Sequence, residues 1–146
     1  MIVFFGFVPV GGTYYVQALT WTPDVTIASL ICGLLIDTLL VVNNYRDREA
    51  DARSGKRTVI VRFGEKFGRY FYLMLGITAS LLCLCFLREG HFYAAFLPQL
   101  YLIPHFLTWK RMVKIYSGKK LNSILGETSR NMLLMGILIA IGMLIN

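Results

Sequence analysis

Asn43, Asp47 and Asp51 recur at intervals of four where a long apolar run gives way to charge, in the segment Asn43-Asn44-Tyr45-Arg46-Asp47-Arg48-Glu49-Ala50-Asp51. On a helix this spacing makes one ridge, so two carboxylates and an amide oxygen point the same way at the membrane boundary, with Asn44 close to that face. Two ionised carboxylates side by side repel, and they persist most easily where a cation sits between them. Hard oxygen ligands from one or two carboxylates, with the other positions left to water and phosphate oxygens, describe a Mg²⁺ site that holds a diphosphate. Gly55 then breaks the helix and lets the chain turn, which would carry Lys56 and Arg57 back toward the same anion. Metal, Lys and Arg around one locus hold a diphosphate and stabilise it as a leaving group. A second reading has Arg46, Arg48 and Arg53 pairing with Asp47, Glu49 and Asp51 along a solvated helix, and spacing alone leaves both open. A Walker phosphate loop is excluded, because Ala50 stands where its first glycine is needed and Arg57 where Ser or Thr is needed.

The elements that position this segment follow from hydropathy. Of 146 residues, 56% are apolar and only 16% charged, against about a quarter charged in a soluble domain. A bilayer leaves unpaired backbone groups no water, so its long uncharged runs must be helices of about 20 residues. Five runs are read, approximately 2–19, 25–42, 70–87, 92–109 and 124–145. They predict an all-α, polytopic transmembrane helix bundle without a separate soluble domain. Met1 opens directly into an apolar run with no basic leader or cleavage site, which suggests a retained first helix and a start part-way through a larger protein. Cys32, Cys83 and Cys85 all lie in apolar runs and read as buried free thiols rather than a disulfide or metal framework.

The net charge of +7 does not point to nucleic acid, since in a membrane protein the placement of Lys and Arg matters more than their sum. The connection from Arg46 to Arg69 and that from Lys110 to Lys120 hold 13 of the 15 basic residues, while those near Trp21–Asp24 and Arg88–His91 hold almost none. The positive-inside rule then predicts a multi-pass protein of the cytoplasmic membrane, with loops 45–69 and 110–122 inside and Asn146 outside. Anionic lipid headgroups of the bilayer suffice as partners for the second loop.

The acidic ridge, with Gly55-Lys56-Arg57-Thr58 and Val61-Arg62-Phe63-Gly64 behind it, resembles the second aspartate-rich motif of the UbiA superfamily of intramembrane aromatic prenyltransferases. Gly12-Thr13-Tyr14-Tyr15-Val16-Gln17, and Leu121-Asn122 with Leu125 and Thr128, are similar to its naphthoate branch of menaquinone synthesis, so the likeness covers essentially the whole chain. The resemblance implies nine transmembrane helices around a lipid-open cavity, with two aspartate-rich motifs facing each other and Mg²⁺ bridging them to a polyprenyl diphosphate. It further implies transfer of the polyprenyl group to an aromatic acceptor, 1,4-dihydroxy-2-naphthoate, with loss of diphosphate and carbon dioxide. Carried over, Asp47 and Asp51 become the catalytic metal ligands, Asn43 assists them, and Lys56 and Arg57 hold diphosphate. The five runs correspond to the last five helices. The other acidic residues, Asp24, Asp37, Glu65, Glu89 and Glu127, contain no counterpart of the first Asn-Asp-x-x-Asp motif, so an N-terminal half is expected as a partner, without which the chain would be inactive. Alternatives are another acceptor, such as 4-hydroxybenzoate or a haem, or a non-catalytic helical subunit.

Further pocket candidates are weighed singly. Asp37 sits within a membrane run, seven residues before Asn44, where a charge is functional by default and a structural pair or protonated carboxyl is the alternative. Tyr14 and Tyr15 suit either the substrate pocket or an interfacial anchor. His105, after Pro104 in an apolar run, reads as a hydrogen-bonded packing residue.

Overall fold

Every apolar run is helical in the computed structural model, which describes residues 1–145; Asn146, expected on the outer side, lies outside them. A wide-turned π-helical stretch, Val3–Gly11, leads into α1, Gly12–Ala18. Next come α2, Pro23–Arg53, and α3, Val59–Cys83, which tightens into a 3₁₀ stretch, Leu84–Glu89. α4, Phe92–Phe96, is joined by a 3₁₀ link, Leu97–Tyr101, to α5, Leu102–Ile115, and α6 spans Leu121–Ile145. No strand occurs among the described residues. Three helices are long and apolar enough to cross a membrane: α2, α3 with its 3₁₀ extension, and α6. The first and fourth runs are assembled from shorter pieces.

Proline accounts for the broken runs, because it removes a backbone donor from the helix ladder. Pro9 lies inside the π-helical stretch. Pro98 opens the 3₁₀ link, and Gln99 satisfies the backbone there, its amide nitrogen donating to the Ser80 and Ala95 carbonyls at 2.9 Å each while Ser80 Oγ donates to Gln99 Oε1 at 2.7 Å. Such side-chain substitution is how broken helices persist in lipid.

The helices overrun the apolar runs. α2 starts at the Thr22 cap, whose hydroxyl accepts from Val25 N, with Pro23 in its first turn. It does not stop where hydropathy does: Arg, Glu and Ala sustain a helix as well as apolar residues, so it continues through the charged segment until Gly55, whose φ of 77° turns the chain. Its 31 residues rise about 46 Å, against a hydrocarbon thickness of about 30 Å, so the 43–53 end projects beyond the apolar core. α3 likewise begins before the apolar run, at the Thr58 cap, and bends at Gly64, where φ is 87°.

α2 is the central element, packed against α3, α6 and the π-helical stretch. Gly6 and Gly33 let that stretch approach closely: a Cβ on Gly6 would strike the Ser29 backbone, and one on Gly33 would strike Ile2. One core cluster gathers Ile31, Leu35, Ala79, Cys83, Phe86 and Met135; a second, nearer the charged end, gathers Val42, Tyr45, Ile60, Tyr72, Met112 and Ile124. Several buried polar groups are paired between helices, as Tyr72 is with Thr128 at 3.1 Å and Asn131 with Thr108 at 3.0 Å. His105 is a packing residue, its Nδ1 2.9 Å from the Tyr101 hydroxyl and its Nε2 3.3 Å from the Leu73 carbonyl.

Arg46 of α2 meets Asn122 of α6, so the two basic connections lie at one end of the bundle. Asp24 and His91, 3.7 Å apart, join the two sparsely charged connections at the other. α6 also passes so near α4 that a Cβ on Gly142 would collide with the Ala94 backbone. Gly142→Leu is therefore expected to cost about 1–3 kcal/mol, read as a lowered Tm in detergent. Gly12→Ala, where an added carbon meets nothing, leaves Tm unchanged or raised.

Candidate functional site

The charged end of α2 is organised by Arg46. Its Nε and Nη2 donate to the two carboxylate oxygens of Asp47 at 2.7 and 2.6 Å, its Nη2 also to Asn43 Oδ1 at 2.8 Å, and its Nη1 to Asn122 Oδ1 at 2.9 Å. One guanidinium thus spans two members of the acidic ridge and ties them to α6. That bidentate hydrogen bond, aided by the charges of Arg46 and Lys56 and opposed by partial burial, holds the Asp47 carboxyl below the usual carboxylate range.

Asp51, one turn on, is buried. The Gly55 turn, closed by Lys56 N donating to the Asp51 carbonyl at 2.9 Å, returns Lys56 so that its Nζ lies 3.3 Å from Asp51 Oδ1. Asp51 Oδ2 is buried with no hydrogen-bond partner. The turn therefore brings back Lys56 but not Arg57, which remains exposed and has no acidic partner among the described residues. Of the pairs in the solvated-helix reading, Arg46–Asp47 forms and Arg48–Glu49 reaches 4.0 Å, while Asp51 is paired with Lys56 rather than Arg53.

Two cavities meet along this face of α2. An apolar groove of about 530 Å³ runs between α2 and α6, lined by Phe5, Ile36, Leu39, Leu40, Asn43, Leu125, Gly126 and Ser129. It continues toward the other end as a smaller cavity of about 190 Å³ that shares Ile36 and is lined by Cys32, Met132, Gly136 and Ile139. At the charged end lies a polar cleft of about 560 Å³ lined by Arg46, Asp47, Ala50, Arg53, Gly118, Lys119 and Asn122. Asn43, on the groove, accepts from Arg46, on the cleft, so the two form one surface that is apolar along the helices and charged at its mouth.

Other sequence candidates lie elsewhere. Asp37 and Asn44 line a cavity of about 220 Å³ with Val59, Ile60 and Phe71, on the α3 flank of α2. Asp37 therefore shares a face with Asn44, as its spacing implies, but not with Asn43 and Asp47. Tyr14 and Tyr15 are exposed on α1 and line none of these cavities. Conversely, Arg53, which reads from sequence only as a partner for Asp51, lines the cleft, as does Lys119, which the sequence does not single out because the basic 110–120 connection reads only as a lipid-facing loop. Asn122 carries a signal only as part of the Leu121-Asn122 pair.

No group of three or more His, Cys, Asp or Glu among the described residues could hold a metal. The donors present, Asp47, Asp51 and Asn43, suit an ion such as Mg²⁺ that takes one or two carboxylates and completes its shell with water and phosphate oxygens. The unpartnered Asp51 Oδ2 is the observation that fits such an ion.

The sequence profile of the UbiA prenyltransferase family matches residues 1–144. The 1,4-dihydroxy-2-naphthoate octaprenyltransferase of Haemophilus influenzae is 34% identical over 99% of this chain and 47% of its own length. Its namesake in Escherichia coli is 40% identical over 58% of this chain and 27% of its own length, and that of Mycobacterium leprae 38% over 56% and 28%. The chain thus spans about half the length, or less, of these curated relatives. No solved structure matches it at a significant level.

The Arg46–Asp47 pair carries a pH signature. A carboxyl lowered in the folded state contributes stability above its ordinary value of 3.8 and loses that contribution as pH falls through the lowered value. Arg46→Gln should therefore melt below wild type by a constant margin from neutral pH down to about pH 5, a margin that shrinks below pH 4. Tm measured across that range checks it; a margin already closing near pH 6 contradicts the assignment.

Proposed function

The chain belongs to the UbiA prenyltransferase family, and from that premise we propose that it forms part of a membrane enzyme that transfers a polyprenyl group from its diphosphate to 1,4-dihydroxy-2-naphthoate, releasing diphosphate and carbon dioxide. One observation carries this reading: Asn43, which lines the groove, is hydrogen-bonded to Arg46, which lines the cleft. An amphiphile with a long apolar tail and a charged head is the ligand that needs both surfaces at once.

On this reading the tail lies along the α2–α6 groove, where dispersion contacts and exclusion of water hold it in one orientation. The head reaches the ridge, where Asn43, Asp47 and Asp51 would hold Mg²⁺, which when bound supplies positive charge to offset that gathering on the departing diphosphate. Lys56, anchored on Asp51 and with a side chain 61% exposed, offers an ammonium to the same oxygens and strengthens their departure. Arg57, beside it, is free to close from the surface. The relatives' names supply the naphthoate acceptor. The basic end of the bundle is the cytoplasmic one by the positive-inside rule, so both charged substrates approach from that side. The second metal-binding wall belongs to a further stretch of polypeptide, as the relatives' greater length suggests.

Asp47→Asn and Asp51→Asn in the complete enzyme are each expected to lower turnover at least about 100-fold at saturating Mg²⁺, the scale of losing a transition-state charge partner. Chelation should abolish activity and added Mg²⁺ restore it. Membranes given labelled 1,4-dihydroxy-2-naphthoate and 4-hydroxybenzoate should prenylate only the former. Retained turnover in both Asn variants sinks the site assignment, and preference for 4-hydroxybenzoate sinks the acceptor.

A further inference from the structure

The polar cleft holds more positive charge than its own residues neutralise. Arg46 is satisfied by Asp47, Asn43 and Asn122, but Arg53 and Lys119, which line the same cleft, have no acidic partner among the described residues. Two exposed cations without acidic partners thus line one cleft, one from the end of α2 and one from the connection before α6, and an anion entering the cleft would meet both.

Lys119 stands where it does because the connection is pinned. Tyr116 has φ 64° and ψ −54°, and Ser117 N donates to the Ile115 carbonyl at 2.7 Å, which together make a γ-turn of the rare positive-φ form, costly for a side chain other than glycine. Interactions of the ring hold it there. Arg48 lies 5.0 Å and Arg69 5.2 Å from its centroid. Both guanidinium groups are themselves fixed, since Arg69 donates to the buried Tyr45 hydroxyl at 2.9 Å and Arg48 to the Tyr45 carbonyl at 2.7 Å. The residues from Tyr116 to Lys119 thus start from an anchor bolted to α2 and α3.

We propose that Arg53 and Lys119 together bind the terminal phosphate of the donor's diphosphate in this cleft, and that Tyr116 is the positioning residue that holds Lys119 in place. This rests on the prenyltransferase reading and deepens it, adding cations that line the cleft to the ammonium of Lys56 held on Asp51. Phosphate oxygens are the shared chemistry of two sources, the donor and anionic lipid headgroups; the carboxylate of Asp47 on the same cleft favours a diphosphate that brings a divalent cation with it.

In membranes holding the complete enzyme, Lys119→Gln and Arg53→Gln are each expected to raise the KM for polyprenyl diphosphate and the inhibition constant for inorganic diphosphate about 10-fold, with kcat and the acceptor's KM changed less than about 2-fold. Lys119→Arg should restore both constants. Tyr116→Ala should reproduce the Lys119→Gln effect and Tyr116→Phe, which keeps the ring, should not. Unchanged constants in both Gln variants overturn the proposal, and if the Asp51→Asn enzyme is meanwhile dead, the prenyltransferase reading stands without it. If wild type turns over no polyprenyl diphosphate, that reading falls; calorimetric binding of inorganic diphosphate still tests the cleft, supporting it if Lys119→Gln weakens binding and overturning it if not. The lipid source is separated in nanodiscs: an effect of Lys119→Gln that requires phosphatidylglycerol and vanishes in phosphatidylcholine alone also overturns the proposal.

Discussion

The organisation of this bundle depends on one helix that does not stop at the membrane surface. A bilayer obliges the backbone to satisfy its own hydrogen bonds, and α2 goes on doing so past the point where that obligation ends, through the charged residues to Arg53. Its single ridge therefore carries Ile36 and Leu40 in the apolar groove, then Asn43, then Asp47 at the cleft. Hydrocarbon and electrolyte are read by one rigid element, with no loop between them whose motion could change their register.

Rigidity of that kind also explains how the carboxylates coexist. Asp47 is not left to repel its neighbour but is gripped by Arg46, and Asp51 is gripped on one oxygen by Lys56. Each acid has its own counter-ion, and both counter-ions are long, partly exposed side chains that can give way to a stronger cation. Partly exposed pairs are weak individually. Here that weakness suits the proposed role of the ridge, whose oxygens would have to be available to a ligand.

Much of this was legible in the residues, and the failures have definite causes. Hydropathy located every helical run because lipid exposure is a property of composition. It misplaced the ends of α2 and α3 because Arg, Glu and Lys extend a helix as readily as Leu does, and only Gly55 and Gly64 mark the breaks in geometry. It could not show that Pro9 and Pro98 divide the first and fourth runs into pieces. The glycine turn, a local feature, predicts the return of Lys56 and Arg57 toward the ridge; it returns Lys56, to Asp51, but not Arg57. The cleft was invisible because it depends on contacts between positions far apart in the chain, Arg46 with Asn122 and Tyr116 with Arg48 and Arg69. Those contacts exist only once α2, α3 and the connection from α5 to α6 have packed together.

The sharing of Arg46 between Asp47 and Asn122 has a mechanical corollary. The guanidinium that restrains the acid is also a strut between the second and last membrane helices. Whatever draws that strut toward itself slackens the restraint on the carboxylate and the spacing of the two helices in the same movement. Because those helices are also the banks of the groove, the polar mouth and the apolar channel behind it share a single brace.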